Sequence, residues 1–147
     1  MNYLTLGRKK NPAIVFLHGW GGSVQSWLGV ARKISGYGFY CVLVDFAGFG
    51  NTPEPEVPYG VEDYSNDVEQ LIDGLGLKSV TLVGHSFGGR VAIYLVSSGR
   101  VNVKQLVLVD SAGLKPRRGL VYKIKVAYYK RLKMRVREGK VKPQVLE

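Results

Sequence analysis

The hydrophobic positions of this chain fall into two alternating kinds of run. Ala13-Ile14-Val15-Phe16-Leu17 is unbroken, rich in β-branched residues, and bounded by Pro12 and Gly19. An apolar run of that length fits a strand buried on both faces, as parallel strands usually are. Residues 40–44 (Tyr-Cys-Val-Leu-Val), 80–83 (Val-Thr-Leu-Val) and 106–109 (Leu-Val-Leu-Val) are three more runs of this kind. Residues 2–6 form a shorter and weaker one, separated from the next by the polar turn at residues 7–12. Between the runs the apolar positions recur at three and four. Val24, Trp27, Leu28, Ala31 and Ile34 share one helical face, with Ser23 placed to cap it. Tyr64, Val68, Leu71, Ile72 and Leu75 share another, with Asp63 at its start and Gly74 and Gly76 at its exit. Residues 87–96 carry Val91, Ala92, Tyr94, Leu95 and Val96 and stop at Ser97-Ser98-Gly99. The loop at residues 51–60 holds Pro53, Pro55 and Pro58.

Strands separated by helices of this length build βαβ units. The fold class is therefore α/β, a mostly parallel sheet with helices on both faces. The 106–109 run is apolar at every position, so it should be flanked by a further strand; an apolar parallel edge is an aggregation liability.

Charge divides the chain more sharply than hydropathy does. The net charge is +10 over 147 residues. Residues 1–114 hold nine basic and nine acidic side chains. The last 33 residues hold twelve basic ones, among them Lys115, Arg117, Arg118 and Lys142, against Glu138 and Glu147. Two kinds of sequence meet near Leu114. Within the second, Val121, Ile124, Tyr128, Leu132 and Val136 recur at three and four among Lys123, Lys130, Lys133 and Arg137, which predicts a basic amphipathic helix. A single cysteine, Cys41, excludes a disulfide framework and a cysteine-built metal site. The two histidines, His18 and His85, exclude most His-rich metal sites. No apolar run is long enough to span a bilayer and residues 1–5 lack a signal-peptide pattern, so a cytoplasmic location is expected.

Three glycine-rich segments sit at strand ends. Gly84-His85-Ser86-Phe87-Gly88, followed by Gly89, has the form G-x-S-x-G between a strand and a helix. A sharp strand-to-helix turn there presents the serine hydroxyl, and the helix N-terminus offers N–H groups where negative charge develops. Without that chemistry it is a glycine-rich turn with an exposed serine. His18-Gly19-Trp20-Gly21-Gly22-Ser23 follows the first buried run. Its glycines let backbone amides approach a ligand as a second oxyanion donor; the plainer reading is a strand-to-helix turn. Asp45-Phe46-Ala47-Gly48-Phe49-Gly50 follows the second run, with Asp45 as a turn organiser whose carboxylate accepts backbone N–H bonds.

In order and spacing these segments, together with Leu106-Val107-Leu108-Val109-Asp110-Ser111-Ala112-Gly113, resemble the α/β-hydrolase superfamily in its lid-bearing branch of esterases and related hydrolases. The resemblance covers residues 2–113, and the five strands resemble the second to sixth of that fold. It implies Ser86 as nucleophile and the amides of Trp20 and Phe87 as the oxyanion hole, with Gly19 and His85 beside the substrate. It implies no cofactor and no metal, and a small acyl compound as substrate. The family also uses an acid and a histidine base in the order Ser, Asp or Glu, His. After Ser86 this chain has Asp110 at a strand end, which is either the acid or a structural residue, and no histidine. His18 and His85 are not expected to act as the base. Residues 1–113 are thus expected to be the N-terminal part of a hydrolase core that lacks the C-terminal strands. Residues 114–147 are expected to begin the lid, with weak membrane-surface contact through the basic helix and no nucleic-acid partner. Two alternatives remain: a non-catalytic binding protein of the same fold, and a basic surface-binding module working through residues 115–147.

Overall fold

The computed structural model of the chain describes residues 1–114 and 119–140. Lys115, Arg117, Arg118, Lys142 and Glu147 lie outside the described residues. Two compact units divide the chain, residues 1–114 and residues 115–147.

In the first unit each unbroken apolar run is a strand. The strands are β1 (Asn2–Leu6), β2 (Ala13–Leu17), β3 (Tyr40–Asp45), β4 (Val80–His85) and β5 (Val103–Val109). They form one sheet in the order β1-β3-β2-β4-β5. β2, β3, β4 and β5 run parallel, and β1 lies antiparallel on β3 with Leu4 opposite Leu43. The helices between them are α1 (Gln25–Gly36), α2 (Val61–Gly74) and α3 (Phe87–Ser98).

The pleat divides the core in two. Ala13, Val15, Leu17, Val42 and Val44 pack with Val68 and Ile72 of α2 and with Val91 and Leu95 of α3. Ile14, Phe16, Cys41, Leu43 and Val83 pack with Val24 and with Ala31 of α1. Alternate residues of one strand thus face helices on opposite sides, which is why these strands read as unbroken apolar runs. Cys41 is fully buried between Leu6 of β1 and Ile14 of β2, and burial raises its thiol pKa.

Several element ends differ from the sequence reading. α1 begins at Gln25 with Val24 at the cap position; Ser23 sits one residue further out, where its hydroxyl accepts the Gln25 N–H at 3.3 Å. Val24 cannot cap with its side chain, and its own N–H goes to Asp45 instead. α2 begins at Val61, because Gly60 and Asp63 form the start: the Gly60 N–H donates to Asp63 Oδ2 at 2.8 Å. α3 runs through Ser97 and Ser98, whose hydroxyls bond back to Tyr94 and Leu95 carbonyls, and ends on the left-handed Gly99. β5 begins at Val103 and is the edge of the sheet among the described residues. Leu106 packs on the core, but Val107 and Val109 are 45% and 41% exposed. The flanking strand expected there is not among the described residues.

The second unit contains α4 (Leu120–Arg137), which ends on the left-handed Gly139 with the Gly139 N–H donating to the Val136 carbonyl and carries Arg135 and Arg137 in its last turn, where positive charge suits the helix dipole. Among the described residues no helix is long and apolar enough to cross a membrane.

Candidate active site

The C-terminal ends of β2, β3, β4 and β5 bring the three glycine-rich segments together. Ser86 occupies the junction of β4 and α3 with φ 48° and ψ −111°. A side-chain-bearing residue in that region stores about 1–3 kcal/mol, so its surroundings must hold it there. The Ser86 N–H donates to the Val109 carbonyl at 3.1 Å, and the Ser86 carbonyl accepts from Gly89 N–H at 3.1 Å and Ala112 N–H at 2.9 Å. Close backbone approach fixes the rest. A Cβ on Gly88 would run into the carbonyl oxygens of Leu17 and His18. The turn after β4 can therefore sit against the end of β2 only with glycine at that position.

Gly19 faces this junction from β2. A Cβ there would lie 2.8 Å from His85 Nδ1 and 3.3 Å from the Ser86 Cβ. The next residue, Trp20, is 69% exposed, and its ring packs edge-on against Phe87 at 5.2 Å and Phe49 at 4.9 Å. Among the described residues no acceptor takes the N–H of Trp20 or of Phe87, and no partner bonds the Ser86 hydroxyl. Two N–H donors and one hydroxyl are thus left without protein partners around the end of β4. A cavity of about 450 Å³ beside them is lined by Gly19, Trp20, Trp27, His85 and Val109.

The two histidines play different parts. His18 is fully buried. Its Nδ1 lies 2.8 Å from the Gly19 carbonyl, and its Nε2 accepts the Phe46 N–H at 3.1 Å. These partners fix the tautomer with the proton on Nδ1. Burial holds its pKa below the ordinary value, outweighing the Gly19 carbonyl and Asp45, which pull it up. Both ring nitrogens are occupied, Nδ1 by its own turn and Nε2 in holding the end of β2 to the β3 exit. His85 is exposed, lies 6.5 Å from the Trp27 ring, and does not hydrogen-bond Ser86.

The two strand-end aspartates differ as well. Asp45 is fully buried; Oδ1 accepts the Val24 N–H at 2.6 Å, and Oδ2 accepts the Asn51 N–H at 2.9 Å and the Asn2 side-chain amide at 2.8 Å. It organises the turn, as its position suggests. Asp110 is exposed, has φ 42°, and receives no hydrogen bond among the described residues. It follows Val109, which pairs with His85, so Ser86 and Asp110 stand one step beyond paired residues on neighbouring strands.

Sequence reasoning missed Phe49 and Tyr64. Both belong to a cluster of rings around Phe87: Tyr64 lies 5.1 Å from Phe87, and Phe46 lies 5.7 Å from it and 5.5 Å from Tyr64. Tyr64 reads only as one residue of a helix stripe, and nothing local links Phe49 to Trp20. Their meeting needs the crossover order of the strands.

The geometry can be set beside known proteins. The chain is 31% identical over 110 residues to a soluble epoxide hydrolase of Corynebacterium sp., covering 75% of this chain and 37% of that protein. It is 30% identical over 115 residues to lipase 1 of Psychrobacter immobilis, covering 77% and 36%. Its structure is similar to that of a marine microorganism esterase, with a TM-score of 0.71, 26% identity, and coverage of 90% of this chain and 50% of the esterase. The chain spans about a third of the length of the curated relatives it matches. Residues 12–126 match the family described as alpha/beta hydrolase fold, and with the sheet order and the serine turn described above, this chain belongs to that family.

Proposed function

We propose that this chain carries the nucleophile and the oxyanion site of a hydrolase acting on esters or similar acyl compounds. Ser86 Oγ attacks the carbonyl carbon, and the oxyanion that forms rests on the N–H groups of Trp20 and Phe87. The single observation behind this reading is the turn itself: a strained serine whose hydroxyl, like the N–H donors around it, has no partner among the described residues. Relatives named as epoxide hydrolase, lipase and esterase leave the substrate class open. Elementary chemistry narrows it. A serine oxygen opening an epoxide would form an ether, which water does not cleave under mild conditions; the same oxygen on an acyl carbon forms an ester, which water does cleave.

The Ser86 proton needs a base. His18 has no ring nitrogen to offer and His85 does not bond to Ser86, so the reading takes the base from outside residues 1–147. The test is acylation of the chain by p-nitrophenyl acetate, followed by mass spectrometry, with and without added imidazole as a mobile base. The expected result is slow acylation at Ser86, accelerated by imidazole and abolished in Ser86→Ala. Absence of a Ser86 adduct under both conditions overturns the nucleophile. Fast acylation without imidazole overturns the external base.

A further inference from the structure

A second cavity, of about 470 Å³, lies on the other side of Trp20, a size within the usual range for small-molecule sites. Its walls include the rings of Trp20, Phe49 and Tyr64, and its rim carries Glu54 and Glu56. Among the described residues no lysine or arginine lines it. Among the described residues neither glutamate has an ion-pair or hydrogen-bond partner. The loop that bears them is held in place. The Gly48 N–H donates to the Pro53 carbonyl at 2.9 Å, the Thr52 N–H to Phe49 at 3.0 Å, and the Thr52 hydroxyl to the Asp45 carbonyl at 2.7 Å. These bonds anchor the loop as far as Pro53, the residue before Glu54, to the same β3 exit that the buried Asp45 organises.

We propose that this cavity binds an organic cation, of the quaternary or tertiary ammonium type, as part of the substrate. Aromatic faces attract a cation through their quadrupoles. Their apolar surface favours an alkylated ammonium over a hydrated metal ion, which would have to shed strongly held water to lie against carbon. The two carboxylates supply the complementary charge at the rim. Trp20 joins the cavity to the proposed chemistry, since its ring also packs on Phe87, the residue after Ser86. An acyl ester with a cationic group on its acyl or alcohol side could thus place its carbonyl at Ser86 and its charge here. That role as a substrate subsite rests on the nucleophile reading of Ser86; the cation affinity of the cavity does not.

The test measures binding to the full chain by following the indole signals of Trp20 and Trp27 by NMR. The probes are choline and its neutral isostere 3,3-dimethyl-1-butanol, at constant ionic strength. The expected result is saturable choline binding in the millimolar range that shifts Trp20, at least about fivefold tighter than the isostere, as one exposed cation–π contact with rim charges should give. Glu54→Gln with Glu56→Gln removes most of that preference, and Ser86→Ala leaves it intact. Equal affinity for the two probes, no saturable binding, or a preference unchanged in the double variant overturns the proposal. The two readings fail separately. Choline binding without Ser86 acylation removes only the nucleophile, and acylation without a cation preference removes only the subsite.

Discussion

Asp45 and Asp110 stand at the ends of two parallel strands, and the contrast between them separates what holds the site from what it exposes. Asp45 is buried under three N–H donors from three segments: Asn2, the start of α1, and the loop after β3. Asp110 is exposed at the end of β5, carries a left-handed backbone, and takes no donor among the described residues. The same residue type at the same kind of position is thus a structural hub on one strand and an unengaged carboxylate beside Ser86 on another. Burial and donor count decide which, not the strand-end position.

The contrast can be broken or sharpened by mutation. Asp45→Ala leaves three donors without acceptors in a buried place and should cost about 3–5 kcal/mol in urea unfolding. A loss below about 1 kcal/mol would put Asp45 on the same footing as Asp110. Ser86→Gly removes the side chain that makes φ 48° costly and should raise stability by about 1–3 kcal/mol while abolishing acylation. Asp110→Gly relieves a milder strain and should add about 1 kcal/mol by the same measurement. His18, next to Asp45 at the β3 exit, should give stability a pH dependence. Its folded pKa lies below the ordinary 6.5. Between those two values the unfolded chain binds the proton and the folded chain does not. Stability should therefore fall as pH drops below about 6.5, and the fall should end below the folded pKa. His18→Asn should flatten that slope. The smallest effect belongs to Asp110→Asn, which keeps the shape and removes the charge; stability should move by less than about 0.5 kcal/mol in thermal unfolding.

Much of the fold can be read directly along the chain, because its core strands are buried on both faces and so carry no polar interruptions. β2, β3 and β4 fall on the apolar runs to within two residues. The start of β5 is not legible: Lys104 and Gln105, both exposed among the described residues, break the pattern. The helix starts are also hidden where a capping contact comes from elsewhere, as with the Val24 N–H and Asp45, twenty-one residues apart. At the site, local pattern is enough to put Ser86 and Phe87 at the turn between β4 and α3, Gly19 just past the end of β2, and Asp45 at the turn it organises, because each lies at a strand end. It is not enough for the ring cluster of Trp20, Phe49, Tyr64 and Phe87. Those residues come from four separate segments and meet only once the sheet order places β2 between β3 and β4.

The lone buried thiol gives the sheet a built-in clock. The Cys41 side chain lies on the face of the sheet that α1 covers, among Ile14, Leu43 and Ala31, and no reagent can reach it until α1 lifts from that face or the whole unit opens. With no second cysteine to compete, the rate at which an alkylating agent consumes it in the folded chain reads the frequency of that opening when alkylation outpaces reclosing, and the population of the open form when it does not. Comparing that rate in the Asp45 and Asp110 variants would show whether the opening starts at α1, whose first residues Asp45 holds through the Val24 N–H, or at the exposed end of β5.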